Sequence, residues 1–225
     1  MFYAMGDAFP EQDVLYKTPD DRDPMAALAP RIKNIVGKHD MTPVPDHPPA
    51  EPIFCHQTDN VIPDGSQPYF LKANAGPKFA SAGLLLKPMV GLPQSKNRFA
   101  IARVEGSNRI PSKLPKLKYP SNQALTVVEG AFELQVEDCT RVLQTGETIF
   151  IPAGKAVTLS ATTRYAATYV TCDGVGIPAA LEGIGKPYDV PIISEGFDRD
   201  PDVSRYAQVF KGLGLQQDGP SGSTP

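Results

Sequence analysis

Between Ser121 and Lys186 the chain holds just two prolines, Pro152 and Pro178, whereas nine of its 24 fall before residue 55. Proline cannot donate the amide hydrogen that a sheet ladder requires, so central strands belong in the proline-poor interval. The residues there read as strands. Gln123–Glu129 runs up to Gly130, and Ala131–Val136 alternates apolar and polar residues. Thr140–Leu143 leads to a turn at Thr145-Gly146, Glu147–Ile151 to a turn at Pro152–Gly154, and Val157–Ala161 and Tyr165–Thr171 follow. Phe99–Val104 adds a strand upstream. Short strands spaced by roughly 8–12 residues predict an antiparallel sandwich or barrel, hence an all-β fold.

Helices are expected only at the edges. Asp200-Pro201 reads as an N-cap and first-turn proline for a helix carrying Val203, Tyr206, Ala207 and Phe210 on one face, with Gly212 as its C′ residue. Arg31–Val36, opened by Pro30 and closed by Gly37, reads as a second short helix. The tail from Gln216 is rich in turn formers and predicts disorder. The resulting organisation is a proline-rich arm over residues 1–65, a barrel over 66–190 and a C-terminal helix with tail over 191–225.

With 41% hydrophobic and 21% charged residues the composition is that of a globular protein. A net charge of −3 without blocks of like charge argues against nucleic acid or an anionic membrane as partner. No apolar run is long enough to span a bilayer, and the N-terminus lacks a leader pattern, so a cytoplasmic protein is expected. Cys55, Cys139 and Cys172 are few, dispersed and outside any metal spacing, which predicts reduced thiols.

Two motifs resemble the cupin superfamily, a family of small jelly-roll barrels. Gly146-ETIFI-Pro152-Ala-Gly154-KA-Val157-TLS-Ala161 is similar to the second cupin motif, and Lys116-Leu-Lys118-YPSN-Gln123-ALTVVE-Gly130 has the spacing of the first. Pro68-Tyr69-Phe70, Gly76-Pro77-Lys78 and Phe99-Ala-Ile-Ala add a resemblance to the second half of fungal quercetin 2,3-dioxygenase-like proteins. The resemblance implies a single cupin barrel with an extended N-terminal arm and a short C-terminal helix. In metal cupins three histidines and a glutamate hold the ion, and here the aligned positions are Lys116, Lys118, Gln123 and Val157. Ammonium groups repel a cation and valine offers no donor, so the resemblance implies loss of the metal ligands and no cofactor. His39, His47 and His56 all lie in the arm.

Five residues are candidates for site chemistry. Lys116 and Lys118 share one strand face. Either they point into the barrel, where an anionic ligand would satisfy them, or they form a solvated basic strand. Arg103 is either an anion or oxyanion donor or a rim residue paired with Glu105. Gln123 can orient a carbonyl, and Tyr169, on the face of Tyr165, is either a hydrogen-bond donor to a developing oxyanion or barrel wall.

Three functions are compatible with these residues. The first is a metal-independent barrel that takes a small phenolic or polyketide-like molecule and catalyses a non-oxidative cyclisation or isomerisation in secondary metabolism. The second is a non-catalytic binding or dimerisation module, and the third a quercetin-dioxygenase-like metal oxygenase with a non-standard site. A homodimer is expected in each case.

Overall fold

The computed structural model describes residues 23–32, 36, 60–72, 74–194, 197–198 and 201–218. The chain divides into two units, Met1–Ile53 and Phe54–Pro225. In the first, the described element is helix α1 (Pro24–Ile32). The expectation of a helix at Arg31–Val36 is therefore displaced towards the N-terminus, and Pro30 sits inside the helix instead of opening it. The Met-Ala-Ala-Leu-Ala run supplies strong helix formers behind Pro24, whose missing amide costs nothing in the first turn. His39, His47, His56 and Cys55 lie outside the described residues.

The second unit is built on two antiparallel sheets. Its strands are β1 (Phe79–Ser81), β2 (Leu84–Val90), β3 (Ala100–Gly106), β4 (Leu117–Lys118), β5 (Gln123–Glu129), β6 (Ala131–Val136) and β7 (Cys139–Gln144). They continue with β8 (Thr148–Ile151), β9 (Ala156–Ala161), β10 (Ala166–Cys172), β11 (Lys186–Pro187) and β12 (Gln216–Gln217). Strand order is β11-β1-β2-β3-β10-β5-β8 in one sheet and β12-β4-β9-β6-β7 in the other. From β3 to β10 the pairing is nested: β3 with β10, β4 with β9, β5 with β8, and β6 with β7. Nested antiparallel pairing over eight strands, split between two sheets, is a jelly roll. The all-β expectation holds.

The proline-poor interval carries β5 to β10 as read from the sequence, with ends shifted by a residue or so. Strand β2 was not anticipated, because Pro88 lies within it. The pairing with β3 accommodates that proline through a register shift between Pro88 and Val90.

Apolar side chains from both sheets fill the space between them. Leu84, Leu86, Val104, Leu125, Val127 and Val170 meet Leu117, Phe132, Leu134, Val157 and Leu159, all buried in one cluster. Helix α2 (Ile177–Ile184) adds Ile177, Ala180 and Leu181 to that cluster, and helix α3 (Tyr206–Gly212) adds Tyr206 and Phe210.

The C-terminal helix departs from expectation at both ends. It opens with a 3₁₀ turn at Val203–Arg205, capped by Asp202, whose carboxylate accepts from the Ser204 amide. Asp200 lies outside the described residues. Its C′ residue is Gly214, at φ +72°, instead of Gly212, which is helical. Leu215 N donates to Phe210 O at 2.8 Å and Gly214 N to Lys211 O at 3.1 Å, the bond pair of a Schellman turn. That turn sends Gln216-Gln217 back along β4 as β12, so the start of the expected disordered tail is a strand.

Candidate functional site

The four aligned motif positions, Lys116, Lys118, Gln123 and Val157, do not converge inside the barrel. Leu117 and Val157 face each other across the β4–β9 register and are fully buried. With Leu117 inward, Lys116 and Lys118 must point away from the core. Both do, and both approach Asp218, at 3.7 and 3.5 Å. The inward reading of the two lysines is thus corrected: register follows burial of the apolar residue between them. Lys116 Nζ also donates to the Glu137 carbonyl.

Gln123 is buried, and its Oε1 accepts from the Ile177 amide at 2.7 Å. Helix α2 starts behind Gly176 without a side-chain cap of its own. Gln123 therefore satisfies an orphan first-turn amide from a neighbouring strand. Gln123 Nε2 has no partner. The set Lys116, Lys118, Gln123 and Val157 cannot converge on an ion: two members point outward and one is aliphatic. Among the described residues no group of three or more His, Cys, Asp or Glu side chains could hold a metal.

Arg103 and Tyr169 do come together, on the opposite face of the first sheet. Strand β3 alternates Ala102 and Val104 into the core with Arg103 and Glu105 outward. The register aligns Lys87 on β2 with Arg103 on β3, and Arg103 with Tyr169 on β10. Arg103 Nε donates to Glu105 Oε1 at 2.8 Å, and Nη2 to the Tyr165 hydroxyl at 3.1 Å. The guanidinium lies over the Tyr169 ring, 5.9 Å from its centroid. Lys87 Nζ donates to the same Glu105 Oε1 and to the Pro191 carbonyl, both at 2.7 Å.

A strap of residues 188–194 roofs this face. Tyr188 N donates to the Lys78 carbonyl at 2.9 Å. Ala80, Leu85 and Phe197 form a small second core beneath, with the Tyr188 and Phe197 rings edge to face at 5.0 Å. Between strap and sheet lies a cleft of about 560 Å³, lined by the Lys87–Arg103–Glu105 group, both tyrosines and the apolar Leu71, Met89 and Ile192, among others.

The electrostatics of the cleft favour an anion. Lys87 and Arg103 line it against Glu105, the one carboxylate of its lining among the described residues. Burial works against the charge on Arg103, but its hydrogen bond to the Tyr165 hydroxyl and the contacts with Tyr169 and Glu105 outweigh it and hold its pKa above the ordinary value. Burial likewise pushes the Tyr165 phenol up, opposed by Arg103. The guanidinium is thus fixed in orientation and charge, with the protonated phenol beside it. Such an arrangement recognises a planar anionic group.

Lys87 is the member that sequence reasoning missed. In Leu84-Leu-Leu-Lys-Pro-Met-Val90 the alternation of Leu85, Lys87 and Met89 is a usable signal, hidden by discounting a strand that contains proline.

No protein-family profile and no curated protein matches the sequence. Solved structures that overlap it include proteins described as cupins. An RmlC-like cupin from Shewanella frigidimarina is 17% identical and aligns over 45% of this chain and 85% of its own, with a TM-score of 0.38. KdgF from a Halomonas species is 14% identical over 50% of this chain and 97% of its own, TM-score 0.39. A putative ethanolamine utilization protein Q from Salmonella typhimurium is 18% identical over 41% and 71%, TM-score 0.35. The jelly roll itself follows from the strand order, independently of these partial overlaps.

Proposed function

We propose that this chain is a metal-independent binding protein of the cupin type, with its ligand site on the outer face of the first sheet. Its ligand is a small aromatic anion, a phenolate or aryl carboxylate. The observation that carries this reading is the Arg103 guanidinium, oriented by Glu105 and Tyr165 and backed by Tyr169 in a roofed cleft. The apolar Leu71, Met89 and Ile192 and the Tyr169 ring suit an aromatic ring, and the Arg103 guanidinium suits its charged substituent. Binding is favoured over catalysis because the polar groups at the heart of the cleft are engaged with one another. Glu105 holds two cations, Tyr165 is shifted upward, and no histidine lines the cleft among the described residues. The lysines and Gln123 of the cupin-like motif are engaged elsewhere, which supports loss of the family's metal chemistry.

Calorimetric titration of the full chain with 4-hydroxybenzoate tests the reading. Saturable binding is expected, weakened about tenfold or more in Arg103→Gln, since a charge-assisted hydrogen bond is lost. Lys116→Gln and Lys118→Gln should bind as the parent does. Absence of binding, or equal loss in all three variants, would sink the proposal.

A further inference from the structure

A second cavity, of about 750 Å³, adjoins the first and shares Tyr165 and Ile193 with it. Arg109, Lys113 and Arg164 line it, against one carboxylate, Asp198. Asp198 is already engaged, its Oδ2 accepting from the Gly83 amide at 2.8 Å. Arg109 and Arg164 are far apart in sequence and are brought to one rim by backbone ties. Asn108 N donates to the Thr163 carbonyl at 2.9 Å, and Ser107 Oγ to the Arg164 carbonyl at 2.6 Å. Ser107, itself buried, also accepts from the Arg109 amide at 3.3 Å. Neither guanidinium has an acidic partner among the described residues. Two arginines anchored through their main chains at a concave site present several donors to one compact polyanion.

We infer that this cavity is a phosphoryl subsite, and that the full ligand is an aryl phosphate spanning both cavities across Tyr165. The phosphoryl subsite stands on its own residues; the spanning ligand rests on the aromatic-anion reading above. Arginine pairs with a phosphoryl group bidentately, and a dianion answers the excess positive charge here better than a carboxylate does. Tyr165 lines both cavities, and its hydroxyl accepts from Arg103.

Three probes at near-physiological ionic strength separate the claims: inorganic phosphate, 4-hydroxybenzoate and 4-carboxyphenyl phosphate. The double variant Arg109→Gln/Arg164→Gln alters exposed side chains and should fold as the parent does, which circular dichroism checks. It should lose inorganic phosphate binding and bind 4-carboxyphenyl phosphate at least about tenfold more weakly, leaving 4-hydroxybenzoate unchanged. Phosphate binding that the double variant retains, or none in the parent, overturns the subsite. Arginine-dependent phosphate binding without any binding of 4-hydroxybenzoate supports the subsite and removes the aromatic reading. If both fragments bind but the aryl phosphate binds no tighter than either alone, the spanning ligand is overturned.

Discussion

Glu105 Oε1 accepts from Arg103 Nε at 2.8 Å and from Lys87 at 2.7 Å, so one buried carboxylate oxygen organises both cations of the cleft. The Glu105 side chain is 2% exposed, against 14% and 28% for its partners. Its desolvation is therefore tolerable only while both cations are present. Glu105→Gln keeps the shape but removes the charge, leaving two cations side by side. A stability loss of about 2–4 kcal/mol in urea denaturation is expected. An unchanged midpoint would show that the triad is solvated.

Gln123 makes a contrasting prediction, because its contact lies within the fold and away from the cleft. Gln123→Leu orphans the Ile177 amide and should cost about 1–3 kcal/mol. Titration with 4-hydroxybenzoate should give the parent's affinity. Lost affinity with intact stability would instead place Gln123 at the ligand.

Two of the motif glycines separate backbone strain from collision. Gly146 lies at φ +89° with open space around its Cα, so Gly146→Ala pays the left-handed penalty alone, about 1–2 kcal/mol. Gly130, at φ +64°, abuts the Tyr165 carbonyl and the Thr163 hydroxyl. Gly130→Ala adds overlap to strain and should cost about 3 kcal/mol or more. Thermal melts of the pair check the order.

Alkaline pH should loosen the helical cap. Burial, then Asp198 and Asp202, push the Tyr206 phenol up to about 12 from an ordinary 10. A raised folded-state pKa means the fold favours the neutral phenol. That contribution is complete below pH 10 and disappears as pH rises through about 12. Tyr206→Phe should flatten the decline over this window. It should also gain up to about 1 kcal/mol at neutral pH, because the Tyr206 hydroxyl is buried without a partner. A stability curve that the substitution leaves unaltered would contradict this account.

The strands that line the core were legible because their apolar residues alternate and no proline intervenes. Gln123–Glu129 and Ala131–Val136 were read to the residue. Strand β2 was obscured by Pro88, and α2 by its short run between glycines. The candidate site was half legible. Alternation placed Tyr165 and Tyr169 on one face and Arg103 within reach of Glu105, but could not say which face was inward at β4. There Leu117 decides, since burying one leucine and freeing two lysines is far cheaper than the reverse. Arg109 and Arg164 depend on contacts between distant segments, which no local pattern encodes.

The alternation along Ala102-Arg-Val-Glu105 has a consequence for how this protein can change. Folding and recognition are carried by interleaved residues of one strand, so a substitution at an outward position leaves the apolar packing of Ala102 and Val104 in place, provided the charge balance around Glu105 is kept. A length change is another matter. Inserting a single residue before Arg103 would drive the guanidinium into the hydrophobic interior and expose valine to the cleft. Diversification of this chain's ligand preference is therefore open to substitution and closed to insertion within β3.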